Sequence, residues 1–65
     1  MRIFLNGAPT DVTPGTLTQV LQECGYEGNH FATAVNEVFV HKEQRQTRVL
    51  LEDDRVEIVA PMEGG

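Results

Sequence analysis

The chain has 65 residues, of which 40% are hydrophobic and 23% charged, and ten acidic against five basic residues give a formal net charge of −5. A chain of this length buries only about 60% of the surface that its unfolded form exposes, which leaves room for one small core and none for a deep catalytic cleft. Without a run of Lys or Arg, it also lacks the positive surface that binds nucleic acid. Composition therefore favours a small acidic domain that meets a basic patch on a partner protein.

Cysteine content and the amino-terminal residues exclude further classes. The lone Cys24 cannot form an internal disulfide, and it supplies too few ligands for a zinc or iron–sulfur site. Residues 2–5 are followed by a turn rather than by the long apolar region of a signal peptide, and no apolar run has the length of a membrane span. We therefore expect a cytoplasmic protein without membrane contact, bound metal or cofactor of its own.

A tight hairpin is predicted at the start of the chain. Short apolar stretches flank an Asn-Gly pair at positions 6–7, the dipeptide that most readily adopts the positive φ angles of a two-residue turn. This predicts strands at residues 2–6 and about 8–12. Because side chains alternate along a strand, Phe4 lies on the face opposite the core residue Ile3.

One amphipathic helix is predicted after this hairpin. Thr16 with Gln19 three positions later is typical of a helix start, and Gly25 is suited to end the helix in the left-handed conformation. An apolar stripe at i, i+3, i+4 and i+7 is formed by Leu17, Val20, Leu21 and Cys24. The helix can thus cover one face of a sheet, and packing is the expected role of Cys24.

The second half of the chain is expected to add three strands. Residues 31–40 are rich in β-branched and aromatic residues interrupted at positions 36–37, which favours a second hairpin. A polar stretch at 41–48 precedes a return to the core at 49–51. Residues 55–60 then alternate as a last strand, with Val56 and Ile58 on one face and Glu57 and Val59 on the other.

These elements predict an α+β fold in the order β-β-α-β-β-β, with one main helix packed on one face of a mixed sheet. The acidic run at residues 52–54 lacks the ligand spacing of a calcium loop and is expected to be a solvated turn. Residues 1–61 form the single predicted domain, and residues 62–65 are predicted to be a flexible carboxy-terminal tail.

The tail carries most of the chemical information. Gly64 and Gly65 have no Cβ atoms, so an extended tail can thread a channel too narrow for side chains. Its terminal carboxylate is ionised at neutral pH and can attack the α-phosphate of ATP when a partner supplies magnesium and positive charge. A terminal Gly-Gly without any role is the alternative interpretation.

Read in order along the chain, the motifs resemble the ubiquitin-like β-grasp carriers, and more narrowly the ThiS family of sulfur carriers. The resemblance covers essentially all 65 residues. It rests on the Asn6-Gly7 hairpin, Gly15-Thr16-Leu17, Ala34-Val35-Asn36, Val40-His41-Lys42-Glu43, residues 54–59 and the terminal Gly64-Gly65. Two positions depart from the family pattern: His41 replaces a common proline, and Asp53-Asp54 stands where Asp-Gly-Asp is usual. The backbone at Asp53-Asp54 is therefore expected to be strained or differently shaped.

The resemblance implies a β-grasp fold and a role as a protein cosubstrate rather than an enzyme. A ThiF-like enzyme would adenylate the Gly65 carboxylate with MgATP while Gly64 and Glu63 thread its active site. Sulfur from a cysteine desulfurase persulfide would replace AMP, and the thiocarboxylate would donate sulfur to a ThiG-like thiazole synthase. Two alternatives stay open: a small subunit like that of molybdopterin synthase, and a ubiquitin-like modifier or binding domain.

A partner-binding patch is the last hypothesis from the sequence. Phe4 and Val59 face away from the predicted core, and Met62 lies on the way to the tail. Scattered exposed apolar residues without a role are the alternative. His30 and His41 have no paired nucleophile or ligand set, so neither is assigned a function.

Overall fold

Five strands and one α-helix form the regular structure of residues 1–60, the part of the chain that this computed structural model describes. Their order is β1 (Arg2–Leu5), β2 (Ala8–Asp11), α1 (Leu17–Glu23), β3 (Ala32–Val35), β4 (Val38–Val40) and β5 (Arg55–Val59). A short 3₁₀ turn covers Lys42–Gln44. The predicted element order is confirmed, whereas the predictions for Met62, Glu63, Gly64 and Gly65 lie outside the described residues.

The strands form one mixed sheet in the order β2-β1-β5-β3-β4. Each hairpin is antiparallel, and the two hairpins lie on either side of β5, which runs parallel to β1 and antiparallel to β3. The last strand of the sequence is therefore the central strand of the sheet. A central strand has a neighbouring strand on each side, but β1 pairs with β5 only as far as Val56, whereas β3 pairs with it as far as Val59.

The helix begins as the sequence predicts. The Thr16 N–H donates to Gln19 Oε1 (2.8 Å) and the Gln19 N–H donates to Thr16 Oγ1 (3.3 Å), which closes a capping box. Gly25 has a φ of 91°, the left-handed conformation expected at the helix end. The helix buries its stripe against one face of the sheet. The shared core contains Ile3, Val12, Leu17, Val20, Leu21, Val35, Val40, Leu50, Val56 and Ile58.

Two predictions about the segment between β4 and β5 are wrong in part. Of the three residues predicted to return to the core, only Leu50 is buried, while Val49 and Leu51 are 60% and 66% exposed. The segment is not a strand of the sheet, and Leu50 is the one of these three side chains that packs into the core beside the helix. Asp54 is also buried, whereas a solvated turn was expected, because it accepts hydrogen bonds from the Leu51 N–H (2.8 Å) and Asn36 Nδ2 (2.9 Å).

Candidate functional site

The candidate site is the end of β5, where the chain leaves the sheet toward its carboxy-terminal residues. Val59 is the last residue of β5 and pairs with Ala32 of β3. On the other side of β5, the pairing with β1 ends earlier, at Leu5 opposite Val56. The final residues of the strand therefore have a backbone partner on only one side.

Two asparagine side chains extend the hydrogen bonding of β5 beyond its backbone partners. Asn6 Oδ1 accepts the Ile58 N–H (2.8 Å), and Asn36 Oδ1 accepts the Arg55 N–H (3.0 Å). Both asparagines are in the left-handed region, with φ of 49° and 51°, which asparagine tolerates better than most residues. Each hairpin turn thus contributes a side-chain acceptor to the central strand, one near its start and one near its end.

The face of the sheet away from the helix, which we call the open face, carries the predicted patch residues Phe4 and Val59. Phe4 is half-buried beneath the Arg2 guanidinium, whose carbon lies 5.4 Å from the ring centre, and Val59 is 66% exposed. Phe4 pairs with Arg55, four residues before Val59 along β5, a separation of about 13 Å. The structure therefore places both residues on one face but does not bring them into one cluster.

Each of these two residues lines a depression of its own. Phe4 lies in a depression with Asn6, Gly7, Arg55, Val56 and Glu57. The depression at Val59 is also lined by Asn29, His30, Phe31, Ala32, Phe39, His41, Lys42, Glu43 and Arg45. It therefore combines apolar groups with charged groups of both signs directly beside the end of β5.

Phe39 is a surface residue that reasoning from the sequence missed. It is 53% exposed and packs edge-to-face against His41, with ring centres 4.7 Å apart. The predicted two-residue turn at positions 36–37 could have revealed it, because such a turn pairs Ala34 with Phe39. Paired residues share a face of the sheet, and Ala34 lies on the open face, where it pairs with Glu57 of β5.

Arg45 belongs to the polar stretch at residues 41–48, yet it is buried, with only 5% of its surface exposed. Its Nε donates to Thr33 Oγ1 (3.0 Å), its Nη2 donates to the Phe31 carbonyl (2.7 Å), and the guanidinium stacks on the Phe31 ring at 4.6 Å. Arg45 thereby anchors the start of β3, which forms one wall of the Val59 depression. Arginine in a polar run is usually exposed, so no local pattern distinguishes it.

Cys24 carries a free thiol. Cys24 is half-buried against the core, in keeping with its predicted packing role, and burial followed by the negative charge of Glu23 raises the pKa of its thiol. The thiol is therefore less nucleophilic than a free cysteine at neutral pH. Across residues 1–60, no three His, Cys, Asp or Glu side chains are placed to share a metal ion. None of the helices in this range is long and apolar enough to cross a membrane.

Comparison with known proteins identifies first the class of fold and then the family. The thiamine biosynthesis protein (ThiS) from Geobacter metallireducens superposes with a TM-score of 0.84 over 100% of both chains at 22% identity, which confirms the ubiquitin-like β-grasp fold. The sulfur carrier protein ThiS from Thermus thermophilus is 38% identical over 63 residues, covering 97% of this chain and 98% of that protein. The ThiS family model matches residues 3–65, so the chain belongs to the ThiS family.

Proposed function

We propose that this protein is a sulfur carrier for thiazole formation in thiamine biosynthesis. The observation that carries the proposal is the end-to-end family match, which runs from residue 3 to residue 65 and so includes the terminal glycines. The Thermus relative, which is named a sulfur carrier protein, matches over almost the same length. In this role the chain is a recyclable cosubstrate, and the active sites belong to its partners.

The proposed chemistry takes place at the Gly65 carboxylate. A carboxylate oxygen attacks the α-phosphate of MgATP on an adenylating enzyme, releasing pyrophosphate and forming an acyl-adenylate. The terminal sulfur of a persulfide then attacks the acyl carbon and AMP leaves. A thiol reductant cleaves the resulting sulfur–sulfur bond, so that a thiocarboxylate remains for transfer to thiazole synthase. In this scheme Gly64 and Glu63 thread the active-site channel of the adenylating enzyme, so that the Gly65 carboxylate can reach the α-phosphate.

The direct test is fragment mass spectrometry after incubation with MgATP, a ThiF-like enzyme and a sulfur source. We expect an adenylate, and then a thiocarboxylate, confined to Gly65. A chain lacking Gly65 is the control. Localisation within the fragment is essential because oxidation of Met1 or Met62 adds nearly the same mass as replacing oxygen with sulfur. A terminus that stays a plain carboxylate with competent cognate enzymes would refute the proposal and would favour a modifier or binding role.

We further propose that the open face docks on the adenylating enzyme through Phe4 and Val59, and that Phe39 belongs to the same contact. Met62, which precedes the tail in the sequence, is proposed as a further contact with this enzyme. Exposed apolar side chains bordered by polar and charged ones are typical of a contact surface. The acidic balance of the chain, with its net charge of −5, would speed encounter with a basic partner surface.

Neighbouring residues offer matched controls for this surface. Val38 and Phe39 are both exposed on β4 but point to opposite faces, and Leu51 is as exposed as Val59, at 66%. Phe39→Ser and Val59→Ser should raise the KM for the carrier in adenylation, by about tenfold for a central contact residue. Val38→Ser and Leu51→Ser should leave this KM unchanged. Equal effects in all four variants would eliminate the open face as the docking surface.

A further inference from the structure

The end of β5 is held by a side chain where a backbone partner is missing. A parallel ladder continued past Leu5 and Val56 would offer a main-chain carbonyl to the Ile58 N–H. The chain instead turns away at Asn6, whose own N–H still donates to the Val56 carbonyl (2.9 Å). Asn6 Oδ1 takes the place of the missing carbonyl and accepts the Ile58 N–H at 2.8 Å.

The hydrogen bond between Asn6 and Ile58 lies at the end of β5 where the chain leaves the sheet. Ile58 is followed by Val59, the last residue of the strand, and then by the chain that leads to Gly65. On the β3 side Val59 has its partner Ala32, so the Asn6 contact supplies the opposing restraint at the same end of β5. Two contacts therefore fix the direction of the strand at Val59. One is the backbone pairing of Val59 with Ala32, and the other is the hydrogen bond from the Ile58 N–H to Asn6 Oδ1.

We infer that Asn6 is a positioning residue for the reaction at the carboxy terminus, an inference that rests on the proposed carrier function. By holding Ile58, Asn6 sets the direction in which the chain leaves the sheet once the folded domain is docked. An adenylating site gains rate from a carboxylate that is already oriented toward the α-phosphate. Asn6 does not touch the reacting atoms, and it acts through β5.

Asn36 provides a matched control with the same chemistry at the other end of β5. It too has a positive φ, and its Oδ1 also accepts a β5 N–H, that of Arg55 at 3.0 Å. Glycine substitutions at both positions keep the backbone conformation and remove only the side chain. Asn36→Gly additionally loses the bond to the buried Asp54, so it should destabilise the fold more than Asn6→Gly.

The two variants should therefore separate function from stability. With the adenylating enzyme, Asn6→Gly should lower kcat by about three- to tenfold, the range expected from the loss of one hydrogen bond, with little change in KM. Asn36→Gly should leave kcat near the unsubstituted value. Partial unfolding alone would reduce the concentration of competent carrier, which raises the apparent KM and spares kcat. Asn6→Asp retains the Oδ1 acceptor and should restore kcat.

Hydrogen exchange tests the inference independently of the adenylation kinetics. The Ile58 amide should exchange slowly, and it should lose this protection selectively in Asn6→Gly while the Val56 amide keeps its own. A rapidly exchanging Ile58 amide, equal kcat values for all the variants, or a failure of Asn6→Asp to restore kcat would overturn the inference. If the unsubstituted chain is not adenylated at all, the proposed function fails instead, and the two failures are thereby distinguished.

Discussion

The two hairpins have turns of the same shape but obtain them in different ways. In the first, Asn6 and Gly7 have φ of 49° and 85°, and in the second, Asn36 and Glu37 have φ of 51° and 71°. Gly7 adopts this conformation without steric cost, whereas for Glu37 it costs about 1–2 kcal/mol. The first turn is therefore encoded locally, and the second must be stabilised by contacts with the rest of the fold.

Those contacts come from buried polar residues outside the second hairpin. Asp54 accepts a hydrogen bond from the Asn36 side chain at the turn. At the end of the hairpin away from the turn, Arg45 Nε donates a hydrogen bond to Thr33 Oγ1. The Thr33 hydroxyl in turn donates to the Val40 carbonyl (2.9 Å). The comparison shows that tertiary hydrogen bonds can impose a turn that the local sequence favours only weakly.

The largest effect is expected for Asp54→Ala. This change leaves the Leu51 N–H and the Asn36 amide without their acceptor in a site that is 7% exposed, so unfolding should require about 2–3 kcal/mol less free energy. Urea denaturation measures the change. Glu57→Ala removes an exposed acid from β5 and is the control, for which a change within about 0.5 kcal/mol is expected. Similar losses in the two variants would contradict the assigned role of Asp54.

A smaller loss is expected for Arg45→Met, which keeps the side-chain length but removes both hydrogen bonds to β3 and its preceding residue. Because removing the guanidinium also relieves the cost of burying a charge, we expect about 1–2 kcal/mol of destabilisation. Amide exchange should quicken mainly in the second hairpin. Arg48→Met, at an exposed site, is the matched variant, and the interpretation fails if it has the same effect as Arg45→Met.

In the first turn, Gly7→Ala should destabilise the protein by about 1 kcal/mol. A Cβ atom at Gly7 would meet no other atom within 4 Å, so the cost arises only from the positive φ. Thermal unfolding followed by circular dichroism measures it. An unchanged melting temperature would show that the positive φ at this position carries no cost for a residue with a side chain.

The smallest expected effect has the opposite sign. Glu37→Gly relieves the left-handed strain of the second turn but increases the freedom of the unfolded chain, for a net stabilisation of about 0.5 kcal/mol. The lost ion pair with Arg55, at 3.8 Å between exposed side chains, contributes little. Denaturant titration against the unsubstituted protein tests the sign. Destabilisation would mean that Glu37 makes a stabilising contribution beyond its turn conformation.

The regular elements could be predicted because their signals are local. The Asn-Gly pair at positions 6–7, the capping pair Thr16 and Gln19 and the apolar stripe of the helix act within a few residues of the chain. Of the two alternatives for the Asp53-Asp54 turn, a strained or a differently shaped backbone, the φ of 66° at Asp53 supports the strained one. The candidate site was harder to predict, since the separation of Phe4 from Val59 depends on the register between β1 and β5, strands from opposite ends of the chain.

By itself, the sequence determined the order of the elements, the turns and the apolar stripe of the helix, because periodicity and backbone preferences operate over short distances. Only the tertiary structure decided that the last strand is central, that Arg45 and Asp54 are buried, and that Asn6 supports Ile58. The reason is that a buried polar group is stabilised by partners distant in sequence. Asn6 and Ile58 are 52 residues apart, and no local pattern connects them.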